Sequence, residues 1–410
     1  MKVIDFFKQL FRDRFFPKVV FFSALLLVLI GELFVFSSTF FETKAFFYKQ
    51  TFWILVGLTI FIIIQTIDFR YLYLLALPLY IISIILLILV LFLGDNISGA
   101  RRWFSIAGFG LQPSEFAKIS TVLMLAYYLE KLKRPFETFK HISIAFLIPA
   151  IPALLILKEP DLGTTILFAL FTLVMLYYSG IRFIVLVFFI LPLINIICTF
   201  NIVAWFFFAI LLFYLLFISK FQLRTVIFLF VLNIVISIAT PVIWNHLHDY
   251  QKERILVFLD PNKYKLGAGY HIIQSKVSIG SGGFWGKGIL KGTQKKLKFI
   301  PEKHTDFIFS VIGEEVGFVG SVFVLLVYFI FFWYSIKLVS ETKNKFNQLV
   351  LIGFISIIFF QMFINIGMTL GIMPITGIPL PFISYGGSSM LTNFFILGII
   401  VNIGRNRYEY

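Results

Sequence analysis

The chain has 410 residues, of which 60% are hydrophobic and 13% are charged, and its formal net charge is +15. A soluble domain carries about 25% charged residues, so this composition excludes a soluble globular protein and predicts a polytopic membrane protein. Nucleic acid is not the expected partner of the positive charge, because the lysines and arginines flank apolar segments or crowd one loop, as membrane topology and anionic headgroups require.

Twelve membrane-spanning helices are predicted, because about 20 apolar residues cross a bilayer as a helix. No polar stretch is long enough for a soluble domain, so we expect one all-α transmembrane domain over residues 1–410. The basic, amphipathic N-terminus is expected to be retained and to lie at the membrane surface. The predicted helices are roughly 19–40, 50–67, 71–94, 114–130, 141–157, 162–180, 182–199, 202–219, 224–244, 307–336, 348–368 and 386–403.

The distribution of positive charge predicts that both termini are cytoplasmic. With that orientation, 18 lysines and arginines lie on the cytoplasmic side and 5 lie in the short outer loops, which is the bias of the positive-inside rule. The lysine-rich loop 245–306 falls outside, and a loop of about 60 residues escapes that rule. Because the cytoplasmic loops are short, we expect function on the outer face, in the segments 99–118, 158–165, 245–306 and 376–389.

Two of these outer segments place ionisable residues at helix ends. Glu115 and Lys118 are spaced i, i+3 on a helix that Ser114 could cap, so they can pair on one face. Such a pair is either a structural ion pair or a functional intramembrane site. Asp161 begins a span, where a carboxylate satisfies free backbone N–H groups, so helix capping is the favoured interpretation.

The large outer loop carries a run of lysines. Lys287, Lys291 and Lys295 recur at i+4 and Lys298 follows, so a helix here would present a basic stripe, which Gly288 and Gly292 weaken. Either the stripe is a solvated surface or it binds an outer-leaflet substrate with a pyrophosphate. GSGG (280–283) lacks the strand–helix frame of a nucleotide loop. TGIPLPFISYGGSS (376–389) is expected to re-enter the membrane beside a cavity.

Three carboxylates follow where the chain returns to the membrane, in KHTDFIFSVIGEEVGF (303–318). Asp306 lies at the boundary, where it can be a general base for a hydroxyl or the N-cap of the next helix. Glu314 lies roughly 12 Å deeper along a helix. Glu314 and Glu315 are expected to line a cavity or to be structural partners of buried cations, because an intramembrane carboxylate needs a partner.

Four blocks of the sequence resemble, in order, the signatures of the SEDS family of shape, elongation, division and sporulation proteins. They are GARRWFSIAGFGLQPSEFAK (99–118), PDLGTT, residues 272–320 and GIPLPFISYGGSS, and the resemblance covers essentially the whole chain. Residues 249–276 with GKGILKGTQ are more similar to the rod-shape and elongation member than to the division member. Family members usually have ten spans, whereas 181–244 is long enough for three, so the extra pair is expected to be peripheral.

The resemblance implies a peptidoglycan glycosyltransferase that polymerises lipid II into β-1,4 glycan strands on the outer face of the bacterial cytoplasmic membrane during elongation. It implies a complex with a class B penicillin-binding transpeptidase and other elongation-complex membrane proteins. A divalent cation, Mg²⁺ or Mn²⁺, is a candidate cofactor without a proven ligand spacing, and no organic cofactor is expected. A lipid II flippase and a non-catalytic scaffold are the alternatives, but outward-crowded polar residues favour the enzyme over a transporter.

The site residues implied by the resemblance are a catalytic Asp306, as base or cation ligand, together with a set of substrate-binding candidates. Family motifs match Trp103, the pair Glu115 and Lys118, and Asp161. The positive charges that could bind the pyrophosphate are Lys118, Arg101, Arg102 and the loop lysines, among them Lys296. Ser384 and Ser388 of the last block complete the set.

Overall fold

The computed structural model describes residues 15–40, 44–97, 100–106, 109–132, 139–181, 183–219, 223–246, 252, 268–292 and 303–408. These residues form thirteen helices and three short strands. In chain order the elements are α1 (Lys18–Thr39), α2 (Ala45–Thr66), α3 (Phe69–Leu93), β1 (Asp95–Ile97), β2 (Ala100–Ile106), β3 (Phe109–Leu111), α4 (Pro113–Lys131), α5 (Phe139–Lys158), α6 (Leu162–Tyr178), α7 (Phe183–Cys198), α8 (Ile202–Ile218), α9 (Leu223–His246), α10 (Ala268–Gly282), α11 (Ile308–Glu341), α12 (Lys345–Thr369) and α13 (Gly387–Arg405).

A helix occupies each of the twelve predicted ranges, with ends displaced by a few residues. Within the described residues, seven helices are long and apolar enough to cross a membrane, namely α1, α2, α3, α5, α11, α12 and α13. Helices α6 to α9 contain shorter apolar stretches of 10–17 residues, and α4 carries Glu115 and Lys118 within its 19 residues. The exact number of spans and their sidedness stay predictions.

A small sheet departs from the all-α prediction. Strand β2 pairs antiparallel with β1 and with β3, in the order β1-β2-β3, and sets Asp95 opposite Trp103 and Ser105 opposite Gly110. The arginine and aromatic residues of ARRWFSI suit a half-buried strand, but strands of three to seven residues give almost no periodic signal. The sheet contacts α3, α4 and α13, so it holds Trp103 close to the beginnings of α4 and α13.

The predicted outer loop 245–306 contains a helix that the sequence did not indicate. Helix α10 packs on α11, and residues 283–292 form turns, so Lys287 and Lys291 do not lie on a helix that presents a basic stripe. The predicted N-terminal amphipathic segment and Lys295, Lys296 and Lys298 lie outside the described residues.

Helix α11 is broken at Gly317, whose φ is 64° and ψ is −158°. The turn after α10 supplies the hydrogen bonds that the break removes. Lys287 N and Gly288 N donate to the carbonyls of Glu314 and Glu315 (3.0 and 2.9 Å). In the opposite direction, Phe318 N and Val319 N donate to the carbonyls of residues 283 and 284 (2.9 and 3.2 Å). The turn that begins in the GSGG segment therefore forms a backbone brace, a set of hydrogen bonds to the backbone on both sides of the break in α11. Glycines suit this turn because glycine adopts positive φ without a steric penalty.

Most of the helices share one buried core. The main hydrophobic cluster draws on α1 to α6 and α11 to α13. Helices α7 and α8 form a separate cluster around Phe188, Leu191 and Phe208, against which residues of α9 pack. Their principal contact with the rest of the bundle runs through α6 and α7. This arrangement agrees with a peripheral position for the extra helices.

Candidate active site

A cavity of about 300 Å³ lies where the beginnings of α2, α4 and α13 meet the turn before α11. This volume is at the lower end of the range for ligand pockets. The cavity brings together Asp306, Trp103 and Glu115, which are separated by up to 203 positions in the chain. The lining residues are Lys49, Trp53, Trp103, Gly110, Gln112, Glu115, Thr305, Asp306, Gly377, Pro379, Tyr385, Gly386, Gly387 and Ser389.

The backbone that carries Asp306 is held at three successive carbonyls. Tyr385 N donates to His304 O (2.9 Å), Ser384 Oγ donates to Thr305 O (2.6 Å), and Asn365 Nδ2 donates to Asp306 O (2.9 Å). These donors come from α12 and from the irregular segment 376–386, which is largely buried, as expected for a re-entrant stretch. Such bonding fixes the position of a reactive carboxylate before substrate binds.

Asp306 does not occupy the N-cap position of α11. That position belongs to Phe307, and no side chain forms a capping hydrogen bond there. Gly377 lies beside the carboxylate with a φ of +73°, and a Cβ added to it would be 3.5 Å from Asp306 Oδ2. The carboxylate therefore faces the cavity past a residue whose conformation favours glycine.

The predicted pair of Glu115 and Lys118 is formed. Lys118 Nζ lies 2.8 Å from Glu115 Oε1, and both residues are buried. Glu115 lines the cavity, and its Oε2 has no hydrogen-bond partner among the described residues. The expected Ser114 cap is wrong, because Gln112 is the N-cap residue and Pro113 begins the helix. Proline is favoured at the first helical position, because the N–H that it lacks would have no partner within the helix.

Asp161 caps α6, as the favoured interpretation predicted. Its Oδ1 accepts from Thr164 N (3.0 Å) and its Oδ2 from Thr164 Oγ1 (2.9 Å). Gln112 Nε2 also donates to Oδ2 (3.4 Å). Asp161 thus contacts the cavity through Gln112, which is a lining residue.

The two predicted arginines bind backbone carbonyls. Arg102 donates to Glu159 O (2.7 Å) and to Pro160 O (2.5 Å), which ties β2 to the turn between α5 and α6. Arg101 is exposed and donates to Phe92 O (3.1 Å). Neither is among the described residues that line the cavity. The Arg102 guanidinium therefore positions the turn between α5 and α6. It could bind a ligand only by giving up these hydrogen bonds.

Burial, and to a smaller extent the nearby Asp161, raises the pKa of the Glu159 carboxyl to about 8, although Arg102 lowers it. Glu159 is 1% exposed, and neither carboxyl oxygen has a hydrogen-bond partner within the described part of the chain. An unpaired buried carboxyl favours its neutral form because the charged form loses hydration. Glu159 is not among the site residues predicted from the sequence.

The two predicted serines connect loops. Ser388 Oγ accepts from Gln112 N (3.1 Å) and donates to Gly110 O (3.0 Å), so it joins α13 to β3. Ser384 Oγ accepts from Leu380 N (2.8 Å) in addition to its bond to Thr305 O. Both serines hold backbone segments that line the cavity.

Glu314 and Glu315 lie apart from the cavity lining and bind other elements. Glu314 Oε1 forms an ion pair with Lys287 Nζ (2.8 Å), and Ser278 Oγ donates to its Oε2 (3.4 Å). Ser37 Oγ of α1 lies 2.8 and 2.7 Å from the two oxygens of Glu315. This geometry favours the structural interpretation for both residues, with Lys287 as the cation that pairs with Glu314.

Sequence reasoning missed the contribution of α2. Lys49 and Trp53 line the cavity from its first turns. Gln50 braces the opposite wall, since its Nε2 donates to Ser384 O (3.3 Å) and its Oε1 accepts from Gly386 N (3.4 Å). The spacing of Lys49 and Trp53 at i, i+4 was the available signal. From the sequence alone, a lysine at the end of a short loop indicates only the orientation of the neighbouring helices in the membrane.

An apolar groove of about 290 Å³ adjoins the cavity, and the two share Gln112 and Glu115 as lining residues. It is bordered by α2, α3, α4 and α13. Its other lining residues are Ile60, Ile82, Leu86, Leu111, Phe116, Ile119, Ser388, Leu391, Thr392 and Phe395. A cavity that contains charged side chains beside an apolar groove suits a substrate that has a polar head and a hydrocarbon chain.

Among the described residues, the carboxylates that line the cavity are Asp306 and Glu115. Within the described ranges there is no group of three or more His, Cys, Asp or Glu that could hold a metal. Two carboxylates fit Mg²⁺ or Mn²⁺ only where water and substrate phosphates supply the remaining ligands, which is how Mg²⁺ is commonly bound.

A family model of cell cycle proteins that covers FtsW, RodA and SpoVE matches residues 17–206 and 183–409. The peptidoglycan glycosyltransferase MrdB of Escherichia coli K12 is 37% identical over 330 residues, which are 80% of this chain and 77% of that protein. The peptidoglycan glycosyltransferase RodA of Treponema pallidum is 33% identical over 416 residues, covering 93% and 95% of the two chains. Among solved structures, a chain from a study of how a peptidoglycan synthase complex coordinates polymerization and crosslinking superimposes with a TM-score of 0.74 at 29% identity, covering 95% of this chain and 98% of that one.

Proposed function

This chain belongs to the FtsW, RodA and SpoVE family of cell cycle proteins, and we infer that it is a peptidoglycan glycosyltransferase of the bacterial cytoplasmic membrane that acts in cell elongation. Relatives that carry this name and match most of the chain support the activity. The observation that carries the assignment of the site is the single cavity that joins Asp306, Trp103 and Glu115 to an apolar groove.

The proposed substrate is lipid II, a disaccharide-peptide linked through pyrophosphate to an undecaprenyl chain. The apolar groove between α2, α3, α4 and α13 accommodates the first part of the prenyl chain. The rings of Trp53 and Trp103 line the cavity where the sugars would lie, and aromatic rings offer sugars large, rigid contact surfaces. Gln112 and Glu115 line both the groove and the cavity, which supports a position for the pyrophosphate near their junction.

In the proposed reaction Asp306 is the general base. Its carboxylate accepts the proton of the acceptor's 4-hydroxyl as that oxygen bonds to the anomeric carbon of the donor. The bond from the anomeric carbon to the pyrophosphate oxygen breaks, and the electron pair leaves with undecaprenyl pyrophosphate. A single displacement inverts the anomeric carbon and gives a β-1,4 linkage without a covalent enzyme intermediate.

A divalent cation at Asp306 is the alternative role of this carboxylate. Asp306 and Glu115 are the lining carboxylates that would hold it, and such an ion would neutralise charge on the pyrophosphate. The two roles differ in their response to chelation, since a general base alone retains activity when divalent cations are removed.

The proposed partner is a class B penicillin-binding transpeptidase, within a complex that contains other membrane proteins of elongation. The similarity to a chain of a peptidoglycan synthase complex supports this proposal. A glycosyltransferase whose product is cross-linked benefits from a partner that receives the strand as it emerges.

Polymerisation of lipid II by the purified protein tests this function. The expected product is a glycan strand whose linkages are cleaved by a muramidase, formed with or without the partner present. Lipid II that crosses a vesicle membrane without any polymer would contradict the proposal and support a flippase. Partner binding with no polymer under any condition would support a scaffold instead.

A further inference from the structure

Lys49 supplies the positive charge of the cavity. Among the described lining residues it is the one with a cationic side chain, and it lies within the first turns of α2, which begins at Ala45. It is exposed at the cavity mouth, and no hydrogen bond or ion pair within the described chain engages its ammonium group. Trp53, four residues on, lines the same cavity from the same helix face.

Three other candidate cations already have partners in the fold. Lys118 is fully buried against Glu115, and Lys287 pairs with Glu314. Arg102 binds the carbonyls of the α5–α6 turn. If one of these groups bound a ligand, it would lose a hydrogen bond or ion pair that stabilises the fold. Lys49 has no such bond to lose within the described residues, so its binding of a ligand does not carry this free-energy cost.

The leaving group of the proposed reaction gains one negative charge when its bond to the anomeric carbon breaks. A cation that contacts this group interacts more strongly in the transition state than in the ground state, so it raises kcat as well as binding. Asp306 cannot do this, because a carboxylate repels the developing charge. The site therefore requires a positive group on the leaving-group side.

We propose that the Lys49 ammonium binds the pyrophosphate of the donor and stabilises it as the leaving group, a role that rests on the function proposed above. Lys49 is then a catalytic residue that contacts substrate, positioned by α2 at the cavity mouth. Its selectivity is for a pyrophosphate over a monophosphate, because the additional negative charge strengthens the interaction with a point charge.

The test compares Lys49→Gln, Lys49→Arg and Lys44→Gln in steady-state polymerisation of lipid II by the purified full-length protein. Lys44 is exposed just before α2 and does not line the cavity, so its variant is a matched loss of charge. We expect Lys49→Gln to lower kcat/KM about 10- to 100-fold, mostly through kcat. Lys49→Arg should recover part of this loss, and Lys44→Gln should be within about twofold of the wild type.

Product binding provides a second readout that a structural role would not change. Wild-type protein should bind undecaprenyl pyrophosphate more tightly than undecaprenyl phosphate, and Lys49→Gln should remove that preference while its melting temperature is unchanged. A Lys49→Gln protein with wild-type kcat and unchanged product preference overturns the proposal. Wild-type protein that forms no polymer contradicts the proposed function itself, so the two failures are distinguishable.

Discussion

The side-chain amide of Asn365 donates a hydrogen bond to the backbone carbonyl of Asp306 at 2.9 Å. The same amide donates to Ile378 O at 2.8 Å, and Asn365 is fully buried on α12. One side chain thus links the turn that carries the proposed base to the irregular segment that forms the opposite wall. The position of Asp306 therefore depends on how α12 packs in the bundle.

Replacing Asn365 with Leu should lower both stability and activity. Two buried carbonyls would lose their donor, at a cost of about 1–3 kcal/mol each, and the Asp306 turn would lose an anchor. Asn402→Leu is a matched control, because Asn402 Nδ2 bridges Ile64 O and Ile67 O at the other end of the bundle (2.6 and 3.0 Å). Thermal unfolding should show similar losses for both variants. At a temperature where both are folded, only Asn365→Leu should lose polymerisation, and equal activities would contradict a positioning role.

Glu159 should make stability depend on pH. Its folded pKa of about 8 lies above its ordinary value of 4.5, so the folded state binds more protons than the unfolded state between these values. Stability from this group is therefore fully present below about pH 4.5 and is lost as pH rises through 8. Glu159→Gln should match the wild-type melting temperature near pH 5 and exceed it near pH 9. An Asp95→Asn variant of an exposed strand residue should show no such pH-dependent gain, and a Glu159→Gln difference that is independent of pH would refute the prediction.

The Lys287–Glu314 pair should stabilise the brace at the break in α11. Glu314 is 1% exposed and the Lys287 side chain 27%, so removal of either charge should destabilise the protein by about 2–3 kcal/mol, less than for a fully buried pair. Glu314→Gln and Lys287→Met, measured alone and together by thermal unfolding, should be strongly non-additive. Lys291→Met, on the same turn, is the control that should have little effect. Additive losses in the double variant would argue against a coupled pair.

The groove should determine how the prenyl chain binds. Leu86→Trp would fill part of the groove, whereas Ile85→Trp adds the same bulk at a neighbouring position that does not line it. We expect Leu86→Trp to raise KM for a donor with a full-length prenyl chain about tenfold, and to affect a donor with a short chain much less. Steady-state kinetics with both donors measures this difference. Equal effects of the two tryptophans would place the prenyl chain elsewhere.

The helices of the bundle were predictable from the sequence because a long apolar segment indicates a membrane-spanning helix by its length alone. The strands at 95–111 were missed because three-residue strands have no usable period, and α10 was missed because it lies in a polar stretch. Asp306, Trp103 and Glu115 were found through motifs, and the structure brings them to one cavity. Lys49 and Trp53 were missed because they reach that cavity only through the packing of α2 on α13, a contact between residues more than 300 positions apart.

The residue pattern also does not show which charged groups bind backbone atoms in the fold. Arg101 and Arg102 donate to backbone carbonyls of neighbouring elements, and their binding of a pyrophosphate stays a prediction. Every residue has a backbone carbonyl, so the sequence does not indicate which carbonyls will accept a hydrogen bond from an arginine. Asp161 was predictable as a cap because the capping geometry is local, involving residues only three apart.

The central claim is that Asp306 is the catalytic carboxylate, and the most direct measurement is single-turnover polymerisation of lipid II by Asp306→Asn. Asp95→Asn is the control for the same substitution on the same face, outside the cavity lining. We predict that Asp306→Asn folds and binds lipid II but polymerises it about 10²- to 10⁴-fold more slowly, whereas Asp95→Asn is unaffected. An Asp306→Asn protein that binds lipid II and polymerises it within about twofold of the wild-type rate would contradict the claim.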